Sequence, residues 1–144
     1  MSSEALNHAR TRSFARVIGP YVTFVTAIIV YRAPTMGNML SRFFDNDAVV
    51  WITGGMLLIS GIIIIAFHQY WRTLASVLIS LFGWFLALRG AALMATPELI
   101  ERGGAASVPH SDLIRAGFGA LTIIGLYLTY VGWIAPNGDQ ASAN

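Results

Sequence analysis

The chain has 144 residues, of which 56% are hydrophobic and only 11% are charged, whereas about 25% of the residues in soluble domains are charged. It contains no cysteine, which excludes disulfides, thiol chemistry and iron–sulfur ligation. Its formal net charge of +2 is too small to favour nucleic acid as a partner. This composition predicts an integral membrane protein that has the lipid bilayer as its main partner.

Four apolar blocks have about the length that crosses bilayer hydrocarbon, roughly 17–25 residues. They are Val17–Tyr31, Val49–Phe67, Leu74–Ala95 and Ala116–Ala135. We therefore predict an all-α membrane protein with four transmembrane helices, packed as a compact bundle over residues 17–135. Residues 1–16 are expected to form a polar or amphipathic leader on the headgroups, and residues 136–144 a disordered tail. The first block lacks a cleavage pattern of small residues, which favours a retained helix over a signal peptide.

The first and third connections each predict a short interfacial helix. In "TMGNMLSRFFDND" the apolar residues recur at i, i+3, i+4, i+7 and i+8, which is an amphipathic helical stripe; the alternative is a plain loop. In "ATPELIERGG", Thr96 is a candidate cap and Pro97 suits the first helical position. We expect Gly103 and Gly104 to end this second helix, followed by a loop.

Candidate N-caps precede two of the long helices. One of the residues 45–47 is expected to cap the second span, and Ser111 or Asp112 the fourth.

Two similar segments indicate an internal repeat. "GMLLISG" at Gly55–Gly61 and "GALTIIG" at Gly119–Gly125 each have glycines six residues apart. We interpret them as parts of two parallel halves, each with two spans, in which Arg32 and Pro34 of one half correspond to Arg89 and Pro97 of the other.

The number of arginines on each side of the membrane does not decide the orientation of the protein. With four spans both termini lie on one side, together with Arg10, Arg12, Arg16 and Arg72. The other side carries the same number, namely Arg32, Arg42, Arg102 and Arg115. The cluster directly before the first span favours cytoplasmic termini.

Arg89 interrupts the third span and is the first candidate functional residue, because a charge within a span is a functional hypothesis by default. It lies off the stripe of small residues at Ser76, Ser80, Gly83 and Ala87, which is typical of close helix packing. We interpret Arg89 as a snorkelling anchor, paired with Glu98 or Glu101. The alternatives are a buried pair or partner contact, and a site for an anion or substrate.

The remaining candidates are His68, Trp71 and Arg72 at the end of the second span, and Trp84 within the third. His68 is expected to be an interfacial polar residue. His110 should lie across the bilayer from it, so no haem or metal pair is predicted within one chain, and we expect no cofactor. A membrane enzyme is the weakest hypothesis, since only His68, Gln69, Tyr70 and Arg72 converge at one depth.

The run "FHQYW…LISLFGWFLALRGAALMATPELI", from Phe67 to Ile100, resembles a group of small four-helix bacterial inner-membrane proteins of unassigned function. The matching features are His68, Trp71, Gly83-Trp84, Arg89-Gly90 and Pro97. The resemblance implies a single four-helix unit in a bacterial inner membrane and carries no catalytic residue across.

Our leading hypothesis is a non-enzymatic membrane protein that acts as a homo-oligomer or as an accessory or structural subunit of a membrane complex. The alternative is a small transporter or channel built from the repeat, with Arg89 as an anion or substrate contact. The small multidrug transporters depend on a carboxylate in their first helix, and "VIGPYVTFVTAIIVY" has none, which argues against that antiporter class.

Overall fold

A computed structural model describes residues 3–68 and 70–135, and this part of the chain is mainly helical and contains no strands. Its α-helices are α1 (Ser3–Arg32), α2 (Met36–Phe44), α3 (Asp47–Phe67), α4 (Leu74–Ala95), α5 (Pro97–Ser107) and α6 (Ser111–Trp133). Two 3-10 turns, Ala33–Thr35 and Val108–His110, join α1 to α2 and α5 to α6. Four helical stretches are long and apolar enough to cross a membrane, which confirms the all-helical prediction with four such segments.

The N-terminal leader is not a separate surface helix. Residues from Ser3 onward continue without a break into the first apolar block as one helix of 30 residues. Thr11 and Ala15 are buried within it, because this part of α1 packs against the ends of other helices. Residues 136–144, predicted to be disordered, lie outside the described residues.

The ends of several helices differ from the predictions. Helix α5 runs past Gly103 and Gly104 to Ser107, so the glycines do not stop it. Gly104 instead allows α2 to approach, since a Cβ atom there would lie 2.7 Å from Cδ2 of Leu40. The predicted loop before α6 is a continuation of α5 and a 3-10 turn.

The capping residues were predicted correctly only for α3. Asn46 is one of the three candidate caps, and its Oδ1 atom accepts a hydrogen bond from the Val49 amide. The Thr96 hydroxyl donates back to the Ala92 carbonyl oxygen instead of capping α5. Helix α6 begins after His110 without a side-chain cap, so neither Ser111 nor Asp112 has the predicted role.

The long helices form two antiparallel pairs, α1 with α6 and α3 with α4. Glycines set the close approach within each pair. A Cβ atom on Gly125 of α6 would lie 2.6 Å from the backbone nitrogen of Thr23, and one on Gly61 of α3 would lie 2.7 Å from Cα of Ala87. Such contacts leave no room for a side chain, so small residues bring the backbones together.

Equivalent residues of the two halves are 64 positions apart. Gly19 corresponds to Gly83 and Gly61 to Gly125, and each pair of equivalent glycines contacts equivalent neighbours. Gly19 approaches residues 128 and 129, and Gly83 approaches residues 64 and 65. Each helix pair therefore takes one helix from each half, and exchanging α1–α3 with α4–α6 exchanges the two pairs while it maps the α1·α4 and α2·α5 contacts onto themselves.

The same offset relates the two glycine segments at Gly55–Gly61 and Gly119–Gly125. It does not relate Arg32 to Arg89 or Pro34 to Pro97, because the equivalents of Arg32 and Pro34 are residues 96 and 98. The repeat is thus present, but these arginines and prolines are not its counterparts.

The apolar core lies where α1 meets α4. It is built largely from equivalent residues of the two halves: Ala15 and Ile79, Ile18 and Phe82, Val22 and Leu86, Ile64 and Leu128. Many other large apolar side chains of the four long helices are exposed, among them Met56, which is 67% exposed. The chain is therefore two helix pairs joined along α1 and α4 rather than an evenly packed bundle.

Candidate functional site

His68 is the centre of a buried polar cluster at the end of the molecule where α3 ends. Its Nε2 atom lies 3.1 Å from Oγ1 of Thr11 on α1, and its Nδ1 atom lies 3.2 Å from Oγ of Ser80 on α4. The His68 side chain has no exposed surface. One imidazole thus connects the first helix pair to the second.

The hydrogen-bond pattern constrains the role of Nε2 in the imidazole. The Thr11 hydroxyl donates to the Asn7 carbonyl oxygen at 2.9 Å, so towards His68 it acts as acceptor and Nε2 carries the hydrogen. Nδ1 lies within hydrogen-bond distance of the Ser80 hydroxyl, whose oxygen also lies 3.2 Å from the carbonyl oxygens of His68 and Tyr70. Both ring nitrogens thus have a hydroxyl partner within the chain.

Aromatic rings enclose the imidazole. Phe14 and Tyr70 each meet it edge to face, with ring centroids 5.4 Å away. The Tyr70 hydroxyl in turn accepts a hydrogen bond from Nη1 of Arg10 at 3.2 Å. These contacts tie the α3–α4 connection to α1 from outside the cluster.

Burial lowers the pKa of His68 below its ordinary value of 6.5, because an imidazolium would lose its hydration; a backbone hydrogen bond at His68 opposes this effect. The neutral ring is therefore the form that the site favours. The imidazole joins α1 and α4 through its two hydroxyl contacts. Like most buried polar groups, it has hydrogen-bond partners within the protein.

A second polar cluster caps the C-terminal end of α6. Nε of Arg16 donates to the Gly132 carbonyl oxygen at 2.8 Å, and Nε of Arg12 donates to the same atom at 3.2 Å. The Trp133 indole donates to the Arg16 carbonyl oxygen at 3.2 Å. That oxygen lacks its usual helical donor because residue 20 is proline, which has no N–H.

The two clusters occupy equivalent places in the two halves. Gly132 corresponds to His68 and Arg16 to Ser80, and the Ser80 hydroxyl lies 3.2 Å from the His68 carbonyl oxygen. Sequence reasoning missed Thr11 and Ser80 as partners of His68, and missed Arg12 and Arg16 as a pair. In the sequence, the repeated glycine spacing indicates that the two clusters are equivalent. The i, i+4 spacing of the two arginines indicates that they share one face of α1.

The structure separates the other predicted residues. Arg89 is exposed on α4 and forms no hydrogen bond or ion pair with Glu98, Glu101 or any other described residue. Trp84 is exposed on the same helix, and Trp71 and Arg72 are exposed in the α3–α4 connection. Gln69 lies outside the described residues. Of the predicted group around His68, Tyr70 packs against the imidazole in the described contacts.

The described cavities are open surface grooves. An apolar groove of about 350 Å³ between α1 and α3 is lined by Phe14, Val17 and Ile63, among others. A second, near His110 and Leu113, has about 330 Å³. Within residues 3–68 and 70–135, no three side chains of His, Asp or Glu form a group that could hold a metal ion.

Neither a family model, nor a curated protein, nor a solved structure matches this chain.

Proposed function

We propose that this chain is a multi-pass protein of the bacterial inner membrane, with cytoplasmic termini, that works as a non-catalytic subunit of a membrane assembly. The assembly consists of further copies of the chain or of other membrane proteins. In this arrangement α1, α3, α4 and α6 cross the bilayer. Helices α2 and α5 lie in the membrane interface on the side opposite to the two termini. Two features support this arrangement: large apolar side chains lie on the outside of the helix pairs, and small residues lie between the helices. Both features are typical of helices that are surrounded by lipid rather than by water.

The observation that carries the subunit proposal is the environment of Arg89. It shares the exposed face of α4 with Phe85 and Leu88 and has no polar partner in the described part of the chain. It lies six residues before Ala95, the last residue of α4, or about 9 Å from that end. A guanidinium at this depth is costly unless it reaches a headgroup or a polar group of a neighbouring subunit.

The polar clusters support a non-catalytic role. Both nitrogens of His68 bind hydroxyls of the same chain, and the Arg12 and Arg16 Nε atoms bind a helix carbonyl oxygen. These side chains hold helices of one chain together, which is a structural role. No nucleophile and base pair is needed to account for them.

The test is purification of the tagged chain in a mild detergent at native expression, with mass spectrometry and a measured molecular mass. We expect a stoichiometric partner or a defined oligomer. Arg89→Leu should reduce the recovered partner several-fold and Arg89→Lys should reduce it less, because a cation is kept. Arg102→Leu on α5 is the matched control and should leave recovery unchanged. A monomer without a partner would contradict the proposal.

A small transporter or channel is the second candidate, favoured by the 64-residue repeat, since parallel repeats build several transporter folds. In it Arg89 would contact an anion or substrate. Between the two described helix pairs, apolar side chains such as Ile18, Ile79 and Leu86 fill the α1–α4 contact, so the path would have to lie between chains. Anion flux into liposomes that falls with Arg89→Leu would favour this candidate over the accessory subunit.

A further inference from the structure

We propose that Arg12 and Arg16 form a binding site for the phosphate headgroup of an anionic phospholipid, at the end of the α1–α6 pair. The inference rests on the proposed membrane location and adds a ligand that this location alone does not specify.

Two guanidinium groups converge here on one oxygen atom. Because Arg12 and Arg16 share the Gly132 carbonyl oxygen, at 3.2 and 2.8 Å, their Nε atoms are at most 6.0 Å apart. Each side chain uses only its Nε–H in this contact. The Nη donors of both make no bond to any described residue, and guanidinium forks are suited to phosphate oxygens.

Capping of the helix does not require this much charge. At the equivalent end of α3, the described hydrogen-bond partner of the His68 carbonyl oxygen is the neutral Ser80 hydroxyl, which also lies within reach of His68 Nδ1 and the Tyr70 carbonyl oxygen. The residue equivalent to Arg12 is Ser76, whose hydroxyl donates to the Thr73 carbonyl oxygen of its own turn. A neutral hydroxyl is sufficient at the end of α3, so the two cations at the equivalent end of α6 have a further role.

The charge at this end is not balanced by described carboxylates. Among the side chains of residues 6–68 and 70–135, the five acidic ones lie at the opposite end of the molecule, on or beside α2, α5 and the starts of α3 and α6: Asp45, Asp47, Glu98, Glu101 and Asp112. Two neighbouring cations repel each other unless an anion lies between them. An anionic headgroup provides that charge, and anionic lipids are attracted to basic residues beside a span.

The flanks of the site suit a lipid rather than a free ion. Val17, the next residue after Arg16, is 71% exposed, and Tyr130 and Ile134 are exposed on α6. Trp133 is fixed by its indole hydrogen bond to Arg16 and stacks a ring 6.0 Å from the guanidinium carbon. Aromatic residues of this kind occupy the headgroup level, so acyl chains can follow the apolar surface while the phosphate meets the arginines.

The experiment is native mass spectrometry of the detergent-solubilised full chain after incubation with an equal mixture of phosphatidylglycerol and phosphatidylcholine. Wild-type protein should retain phosphatidylglycerol preferentially. The preference should fall about fivefold for each arginine changed in Arg12→Gln and Arg16→Gln. The matched controls Arg42→Gln and Arg102→Gln, at the other end, should keep the wild-type preference.

Further arms separate the sources of the effect. Displacement of the lipid by inorganic phosphate alone would assign a free-phosphate site and overturn the lipid proposal, as would equal retention of both lipids by the wild type. Loss of a co-purified protein with unchanged lipid retention would assign the arginines to a protein contact. The double variant Arg12→Lys with Arg16→Lys keeps the charge, so a folded protein with an intermediate preference is expected even where glutamine destabilises the helix end.

This outcome is independent of the test of the proposed function. Recovery of the chain from the membrane fraction and its oligomeric mass report on the membrane subunit proposal, whereas the lipid ratio reports on Arg12 and Arg16. A membrane-embedded oligomer without lipid preference would overturn the lipid site alone.

Discussion

His68 and Gly132 occupy equivalent positions in the two halves, and a side chain of the neighbouring helix binds the carbonyl oxygen of each. Ser80 Oγ lies 3.2 Å from that of His68, and Arg16 Nε lies 2.8 Å from that of Gly132. The two halves thus use one backbone arrangement with different side chains. One site is buried and neutral and binds Thr11 through the imidazole, and the other is basic and faces outward.

Replacing His68 should loosen the contact between the two helix pairs. We expect His68→Ala to lower the free energy of unfolding by about 2–4 kcal/mol, because it leaves a cavity and deprives the Thr11 and Ser80 hydroxyls of a partner. Thermal unfolding in mild detergent measures this. His8→Ala, an exposed histidine on the same helix as Thr11, is the control. Equal melting temperatures for both variants would contradict the role of His68 in joining the two helix pairs.

Stability should depend on pH through His68. Its pKa in the folded protein is lowered from 6.5 by burial, so the unfolded chain binds the proton more readily. The contribution is complete above about pH 6.5 and is lost as the pH falls from there through the lowered folded value. His68→Asn should flatten this part of the pH profile of the melting temperature. An identical slope in the variant would show that another group titrates.

Two glycines of α3 should respond very differently to the same substitution. A Cβ atom at Gly61 would lie 2.7 Å from Cα of Ala87, whereas nothing lies within 4 Å of one at Gly55. Gly61→Leu should separate α3 from α4 and cost at least about 1–3 kcal/mol. Gly55→Leu should change the melting temperature little. Similar losses in both variants would mean that a general effect of helix sequence, rather than the close approach, is responsible.

The helix pairing can be tested with engineered cysteines, since the chain has no cysteine of its own. The hydroxyl oxygens of Thr26 and Thr122 lie 2.8 Å apart, so Thr26→Cys with Thr122→Cys should form a disulfide on mild oxidation. Leu58 is the residue of α3 equivalent to Thr122. Thr26→Cys with Leu58→Cys should therefore remain reduced, and gel mobility distinguishes the two. Cross-linking of the second combination would place α1 against α3 instead of α6.

Pro20 and Trp133 should be energetically coupled. Pro20→Ala supplies an N–H for the Arg16 carbonyl oxygen, to which the Trp133 indole donates in the native chain. Trp133→Phe should cost about 1 kcal/mol in the wild type and less in the Pro20→Ala background. A double-mutant cycle of melting temperatures measures the difference. Additive effects would show that the indole hydrogen bond does not compensate for the proline.

The main architecture could be predicted from the sequence because it follows from local properties. A continuous apolar segment such as Leu74–Ala95 forms a helix of that length whatever its neighbours are, and the structure has α4 with the same bounds. The glycine segments at residues 55–61 and 119–125 also carried the repeat. The leader was misjudged because its polar residues suggested a separate surface helix, whereas Thr11 and Ala15 face other helices.

The tertiary structure alone decided which polar residues meet. Thr11 and His68 are 57 positions apart, and Arg16 and Gly132 are 116 apart, so no local pattern relates them. Backbone carbonyls are not visible in a sequence as partners, because every residue has one. Segment hydropathy determines that a helix forms and how long it is, since it is a sum over neighbouring residues. The pairing of helices depends on short-range packing between distant residues, and this packing placed the imidazole inside the protein and the two arginines on its surface.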